Sequence, residues 1–348
     1  MKKPLVGITM GDPAGIGAEV TLKALHSPDV YEECIPLVIG DRAALEDALR
    51  FCHLPLKLRE IADPTEAAAE YGTVDYINLN LLKPDGWEYK KTSALCGEAS
   101  FQYVVKAIDL CMKQQIDAMV TGPINKDSLQ LSGHHFSGHT EILAHYTNTK
   151  DYAMLLASGI RSNRKLCVIH VSTHVALRDA CDHVKKDRVA EVIRLADQGM
   201  KMLGYRHPKI AVAGLNPHCS ENGMFGYEEQ REIIPAIEET RTEGYDVTGP
   251  IPPDTVFVRS LGGEFDVVVA MYHDQGHIPL KIVGFVMDPV THQYSSMSGI
   301  NCTIGLPIIR TSVDHGTAYG KAGEGRANEV SMLDAIYAAV KMVENRGV

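Results

Sequence analysis

The sequence AMYHDQGHIPLK, Ala270 to Lys281, follows the apolar run FDVVV and places two histidines, an aspartate and a lysine within nine residues, His273 to Lys281. Imidazoles beside a carboxylate and an amine can bind a divalent ion or move protons. Two other apolar runs end in the same way. KLCVIHV is followed by STHVALRD with His174, and KIAVAGL is followed by NPHCSENG with His218. A lone histidine past a strand is most often a capping or loop residue. Three in equivalent positions, His174, His218 and His273, match three protein ligands with a coordination position left open, the pattern of a catalytic metal site. His170, within the strand itself, reads as structural, and Cys219 as a small neutral loop residue.

Other strand ends carry polar groups too. PLVGITM leads to GDPAGIG with Asp12, and IDAMV leads to TGPINK with Lys126. GDPAGIG fits neither G-x-G-x-x-G nor a P-loop, because no Gly-Lys-Ser/Thr follows, so it reads as a tight packing turn. SGHTE places His139 and Thr140 ahead of the helical run EILAHY, a helix start that a phosphate could use and that Thr140 could equally well cap. IRTSVDHGTAYGKAGEGRAN, residues 309–328, has four glycines after His315 and leads into the last helical pattern.

These residues need a scaffold, and hydrophobic patterning supplies one. Residues 4–10, 35–40, 116–122, 165–171, 209–215 and 265–271 are short apolar runs, expected as strands buried on both faces. Between them lie amphipathic stretches at 186–203, with Val189, Val192, Ile193, Ala196 and Leu203 in helical spacing, and at 329–344, with Leu333, Ile336, Tyr337, Val340 and Val343. Alternation of this kind predicts an α/β chain with a largely parallel sheet, where ligands bind beyond the carboxyl ends of strands. With 348 residues, 45% of them hydrophobic, the chain can bury a core and suggests about two domains.

Composition narrows the function. The net charge is −10 with no basic run, which disfavours nucleic acid and anionic membranes as partners. No apolar run approaches the ~18 residues of a membrane span, and Asp12 and Pro13 interrupt the only N-terminal run, so no signal peptide is expected. Eight scattered cysteines without a C-x-x-C pair read as reduced thiols in a cytoplasmic protein. A small anionic substrate, held by a few gathered cations, stays open.

HGTAYGKAGEGRAN closely resembles the cofactor loop of the isocitrate and isopropylmalate dehydrogenases, which bind NAD(P) without a Rossmann fingerprint. The whole chain resembles the 4-hydroxythreonine-4-phosphate dehydrogenase family of the same fold, through MGDPAGIG, TGPINK, GHTE, STHVALRD, NPHCSENG, PPDT, YHDQG and NCTIGLPIIRTSVDHGTA. AVAGLNPH, ENGMFGYEE and YHDQGHIPLK are more similar to its branch of 4-phospho-D-threonate (or D-erythronate) 3-dehydrogenases. The vitamin B6 enzymes of the family tend to lack a histidine at the place of His277.

The resemblance implies two α/β/α domains, 1–128 plus 304–348 and 129–303, with the active site in the interdomain cleft. It implies that His174, His218 and His273 hold one divalent ion (zinc, magnesium, manganese or cobalt). It also implies that His139, Thr140, Lys281, Asn301 and Arg310 contact the substrate, and that Asp254 of PPDT lies near them. Lys281 and Asp254 are the candidates for catalytic proton transfer. His315, Gly316, Ala318, Gly323 and Asn328 of the loop would hold NAD. The family is dimeric, so a homodimer with a shared active site is expected, one metal-binding histidine coming from the second subunit. Residues 284–300, GFVMDPVTHQYSSMSGI, are longer than the family's usual link, as a lid or a specificity loop would be.

The activity expected is NAD- and metal-dependent oxidation of a 4-phosphorylated four-carbon acid with decarboxylation, the alternative substrate being 4-phosphohydroxy-L-threonine. A non-enzymatic two-lobed solute-binding protein would suit the α/β pattern but leaves the three histidines unexplained. A metal-stabilised structural protein would need closed, cysteine-rich ligand sets, which the sequence lacks.

Overall fold

A computed structural model describes residues 3–158, 165–290, 292 and 294–347. The chain divides into two compact units, Met1–Lys150 with Leu306–Val343, and Asp151–Gly305 with Glu344–Val348. The strands in chain order begin with β1 Leu5–Thr9, β2 Ile35–Gly40, β3 Lys57–Glu60, β4 Thr73–Asn78 and β5 Ala118–Thr121. They continue with β6 Ala153–Ala157, β7 Cys167–His170, β8 Ile210–Ala213, β9 Val247–Ile251 and β10 Val267–Ala270. A hairpin of β11 Phe285–Met287 and β12 Tyr294–Met297 follows, then β13 Ile300–Ile304 and β14 Arg310–Val313.

In the first unit the strand order is β3-β4-β2-β1-β5-β14, and every pairing is parallel. Val6 and Ile8 of β1 and Leu37, Val38 and Ile39 of β2 are fully buried, each such side chain contributing about 1.5–3 kcal/mol. The helix Ala94–Met112, capped by Ser93 Oγ accepting from Cys96 N at 3.2 Å, packs on β1, β2 and β5.

In the second unit the order is β13-β6-β7-β10-β8-β9. The run β7-β10-β8-β9 is parallel, while β13 and β6, and β6 and β7, pair antiparallel. One core joins Leu156, Val168, Ala211, Val268 and Leu280, and the helix Lys186–Met202 lies across β6, β7, β8, β10 and β13. The segment after Gly284 forms the β11–β12 hairpin, with Val286, Met287 and Tyr294 exposed. No helix among the described residues is long and apolar enough to cross a membrane.

Candidate active site

The adjacent parallel strands β7, β10 and β8 release the three histidine-bearing segments from their carboxyl ends. Side chains tie these ends together. Ser172 Oγ, past β7, donates to Met271 O, past β10, at 3.0 Å. The buried Gln275 accepts from Met271 N at 2.6 Å and donates to Gly214 O, past β8, at 2.8 Å. His273 opens the helix His273–Gly284, and that helix comes close to β7 through Gly276. A Cβ at Gly276 would stand 2.3 Å from His170 Nε2, so only glycine permits the approach.

Two of the three histidines meet. The rings of His174 and His273 lie 5.7 Å apart, centroid to centroid. His273 Nδ1 is 2.6 Å from Asp274 Oδ1. A carboxylate accepting from Nδ1 leaves Nε2 as the lone-pair nitrogen, the arrangement common around metal-bound histidines. The ring of His277, one turn on, stacks on His273 at 3.7 Å, and its Nδ1 donates to His273 O at 2.9 Å. His170 is buried beneath this stack, with its ring 4.8 Å from that of His277. Burial, with His277's charge second, pushes the pKa of His170 down to about 3, and burial, with His273's charge second, pushes that of His277 down to about 4. His170 and His277 are therefore neutral at neutral pH. The donor chemistry and the ring spacing fit an ion shared by His174 and His273. Among the described residues, no group of three or more His, Cys, Asp or Glu side chains is arranged to hold a metal ion, so the pair lacks a third donor from these residues.

His218 is presented differently. It begins a run of five residues, His218 to Asn222, with φ between 46° and 72°, a left-handed turn that costs roughly 1–2 kcal/mol per non-glycine residue. Such strain persists only where the surroundings hold it. Glu229, fully buried, accepts from Leu215 N at 2.9 Å and Asn216 N at 2.7 Å through Oε1, and from Asn216 Nδ2 at 3.0 Å through Oε2. Ser220 Oγ donates to Gly226 O at 2.7 Å and accepts from Gly223 N at 2.9 Å. Asp254, exposed at the start of the helix Pro253–Leu261, raises the pKa of Cys219 through its charge, after burial and the charge of Glu229, which places it by this turn. Lys281 lies two turns beyond His273 on its helix, with Nζ 4.3 Å from the Phe285 ring centre. Asn301, half-buried, sits on β13 opposite Leu156.

The first unit builds a cation pocket. Arg310, on β14, is 2% exposed, and its Nε and Nη2 donate to Thr121 Oγ1 at 3.2 and 2.7 Å. His139 and Thr140 start the helix His139–Thr147. His139 Nε2 is buried without a protein partner although the residue as a whole is half-buried. Burial, then the Arg310 charge, hold the imidazole pKa well below its ordinary value, opposed by a backbone contact with Gly122. A buried cation, an orphaned ring nitrogen and a helix N-terminus in one place suit an anion such as phosphate.

The loop 315–328 lies against the GDPAGIG turn. Ile16 N donates to Thr317 O at 3.1 Å, and Tyr319 OH donates to Asp12 Oδ2 at 3.0 Å. Gly17 explains why this turn is rich in glycine, since a Cβ there would stand 2.0 Å from Met10 O. Nothing lies within 4 Å of where a Cβ would stand at Gly316 or Gly320, so a ligand can lie against that backbone, between His315 and Gly323.

Residues 32–339 match the family of the pyridoxal phosphate biosynthetic protein PdxA. The chain belongs to the PdxA family. A relative from Cupriavidus necator named D-threonate 4-phosphate dehydrogenase is 46% identical over 344 residues, covering 99% of this chain and 98% of its own. A crystal structure of 4-hydroxythreonine-4-phosphate dehydrogenase from Klebsiella pneumoniae superposes with TM-score 0.84 at 41% identity, covering 98% of this chain and 100% of its own. A β-decarboxylating dehydrogenase from Thermococcus kodakarensis shares the fold, with TM-score 0.50 at 14% identity, covering 100% of this chain and 84% of its own. Like its PdxA relatives this chain is a dehydrogenase, an oxidoreductase acting on a CH–OH group. The fold expected from the resemblance, that of the isocitrate and isopropylmalate dehydrogenases, is the one found.

Sequence reasoning missed the supports of this site. Thr121 was visible in TGPINK as a strand end, but nothing marked it as Arg310's partner. Glu229, Gln275 and Ser172 stand within ENGMFGYEE, YHDQG and STHVALRD, but nothing there marked them as supports, because their role appears only once distant backbone groups are brought together.

Proposed function

We propose that the protein oxidises the 3-hydroxyl of a 4-phosphorylated four-carbon acid, 4-phospho-D-threonate or 4-phospho-D-erythronate, using NAD and a divalent ion. Decarboxylation then yields dihydroxyacetone phosphate. The full-length likeness to a D-threonate 4-phosphate dehydrogenase carries this reading, and the buried Arg310 supports the phosphate. Arg310, steadied by Thr121, would grip the phosphate with the His139–Thr140 helix start, and Asn301 would orient the acid. His174 and His273 would hold the ion together with the partner subunit's His218, in a homodimer. When bound, a divalent ion stabilises negative charge on oxygen and nicotinamide accepts a hydride. Lys281, on the helix of His273, would take the hydroxyl proton and Asp254 would assist proton transfer at the carbon that loses CO2.

NAD is favoured over NADP because Arg326, a cation of the loop, is already engaged. Glu324 pairs with Lys90 and with Arg326, and Arg326 also donates to Gly320 O at 3.3 Å. The solved relative named for 4-hydroxythreonine 4-phosphate supports a second substrate, 4-phosphohydroxy-L-threonine. The test is catalytic efficiency on 4-phospho-D-threonate, 4-phospho-D-erythronate and 4-phosphohydroxy-L-threonine, each with NAD and with NADP. The proposal expects one of the first two acids, with NAD, to lead. A lead by phosphohydroxythreonine moves the assignment to the second substrate, and comparable use of NADP removes the cofactor preference.

A further inference from the structure

Glu19 and Lys23 stand one turn apart on the helix Gly17–Ala24. On most helices such a pair is solvated and contributes little. Here the Glu19 side chain is 1% exposed and that of Lys23 17%. A carboxylate so deeply buried needs partners for its charge. Lys23 Nζ donates to Glu19 Oε1 at 2.8 Å. The same ammonium donates to Gly325 O and to Ala327 O, each at 2.8 Å, which uses all of its hydrogens. Glu19 Oε1 also accepts from Ala327 N at 2.6 Å. One ion pair near the N-terminus therefore grips both the carbonyl and the amide of Ala327, and the carbonyl of Gly325, at the far end of the glycine-rich loop.

The near end of that loop is held by the turn leading into the same helix, through Ile16 N to Thr317 O and Asp12 to Tyr319. Gly320, in the span between, is exposed, with open space beside it. A loop tied at both ends to one helix loses less conformational freedom when a ligand settles on it. We propose that Glu19 and Lys23 are a positioning pair that sets the loop 315–328 for a nicotinamide dinucleotide. The inference rests on the reading that this loop takes the cofactor. The pair would act through the loop backbone, without touching the reacting atoms.

Lys23→Met removes the donors to both loop carbonyls but strands a buried carboxylate. Glu19→Gln combined with Lys23→Met removes both charges and avoids that penalty. Each variant and the wild type would be compared by NADH binding from its fluorescence, by KM for the phosphorylated acid, by thermal melting, and by the rate of tryptic cleavage after Lys321 and Arg326 without cofactor. The double variant is expected to remain folded, to be cut faster in the loop, and to bind NADH roughly tenfold more weakly, the worth of one charge-assisted hydrogen bond, with the KM of the acid unchanged. An unchanged NADH affinity in a folded double variant, with or without faster cleavage, overturns the proposal. A drop in melting temperature with both affinities intact makes the pair merely structural, and overturns it too. A wild type that binds neither NADH nor NADPH removes the cofactor reading itself, and with it this inference.

Discussion

Arg310 is 2% exposed and braced by Thr121, whereas His174 stands in solvent and His273 is only partly covered. The two regions show two ways of keeping a polar group ready. The guanidinium is a permanent charge taken out of water, and its geometry is set in advance by β5 and β14, ready for an anion. The imidazoles tolerate exposure and gain from an ion rather than from burial. The first pocket has its cation, its helix start and its brace within one unit. The second face has two rings in place and a third, His218, held on a strained turn at a neighbouring strand end.

The largest effects should come from the histidine face. His174→Ala and His273→Ala are each expected to stay folded and to lose bound metal, with turnover down by more than a hundredfold, since even the outer partners of a metal site are worth ten- to a hundredfold. Metal content after dialysis, and turnover after metal is restored, decide this. Full activity in either variant would remove that residue from the site. Mixing His218→Ala with His273→Ala subunits sharpens the contrast with the self-contained phosphate pocket. In a shared site, random exchange should restore about a quarter of wild-type activity, because half the dimers are mixed and each has one intact site. No recovery after verified exchange would place all three ligands on one chain.

Arg310→Lys tests the other side of the comparison. Lysine keeps the charge but loses the fork that meets Thr121 Oγ1 twice, so catalytic efficiency on the phosphorylated acid should fall roughly tenfold or more. The unphosphorylated acid should be a very poor substrate for the wild type, and its use should not change further in the variant. Equal use of both acids by the wild type would remove the phosphate from the substrate.

Much of this frame was legible in the sequence, for a physical reason. The expected strands at 35–40, 209–215 and 265–271 are β2, β8 and β10, and the helical pattern at 186–203 is the helix Lys186–Met202, because full burial forces continuous apolar runs and amphipathic helices keep their period. What stayed hidden was weakly patterned. β3 reads KLRE and β9 reads VTGPI, outer strands that tolerate charge or proline. β14 reads RTSV, because it carries Arg310 rather than core bulk. Motifs named His174, His218, His273, His139 and Arg310. They contained Glu229, in ENGMFGYEE, and Thr121, in TGPINK, without marking the role of either, since the partners lie elsewhere in the chain, and they were silent about the left-handed turn, which no composition announces in a run with no glycine until Gly223.

Glu229→Gln probes that turn. Glutamine keeps the shape and one acceptor but loses the charge that draws three donors. The fold should persist, while metal affinity falls about tenfold, as for other supports of metal ligands. Chelator competition measures this. An affinity equal to wild type would show that the turn holds His218 without the carboxylate.

The smallest effect belongs to His139. Its folded pKa lies well below the ordinary value, chiefly through burial and then through the facing Arg310 guanidinium. The ordinary imidazole pKa is about 6.5. Between that pH and the lower folded pKa, the unfolded chain binds a proton that the folded chain refuses. Stability must therefore fall as pH drops through this window, by up to about 1.4 kcal/mol per pH unit for one such group. Urea melts of wild type and His139→Asn at several pH values isolate this contribution. The difference in stability should be flat above about pH 7.5 and should turn against the wild type below about pH 6.5. Inorganic phosphate adds a second reading. An anion beside Arg310 offsets the charge that opposes protonation of His139, so saturating phosphate should make the slope shallower. A slope that phosphate leaves unchanged would show that the anion binds elsewhere, and the contrast between a pocket poised for phosphate and a face poised for metal would lose its first half.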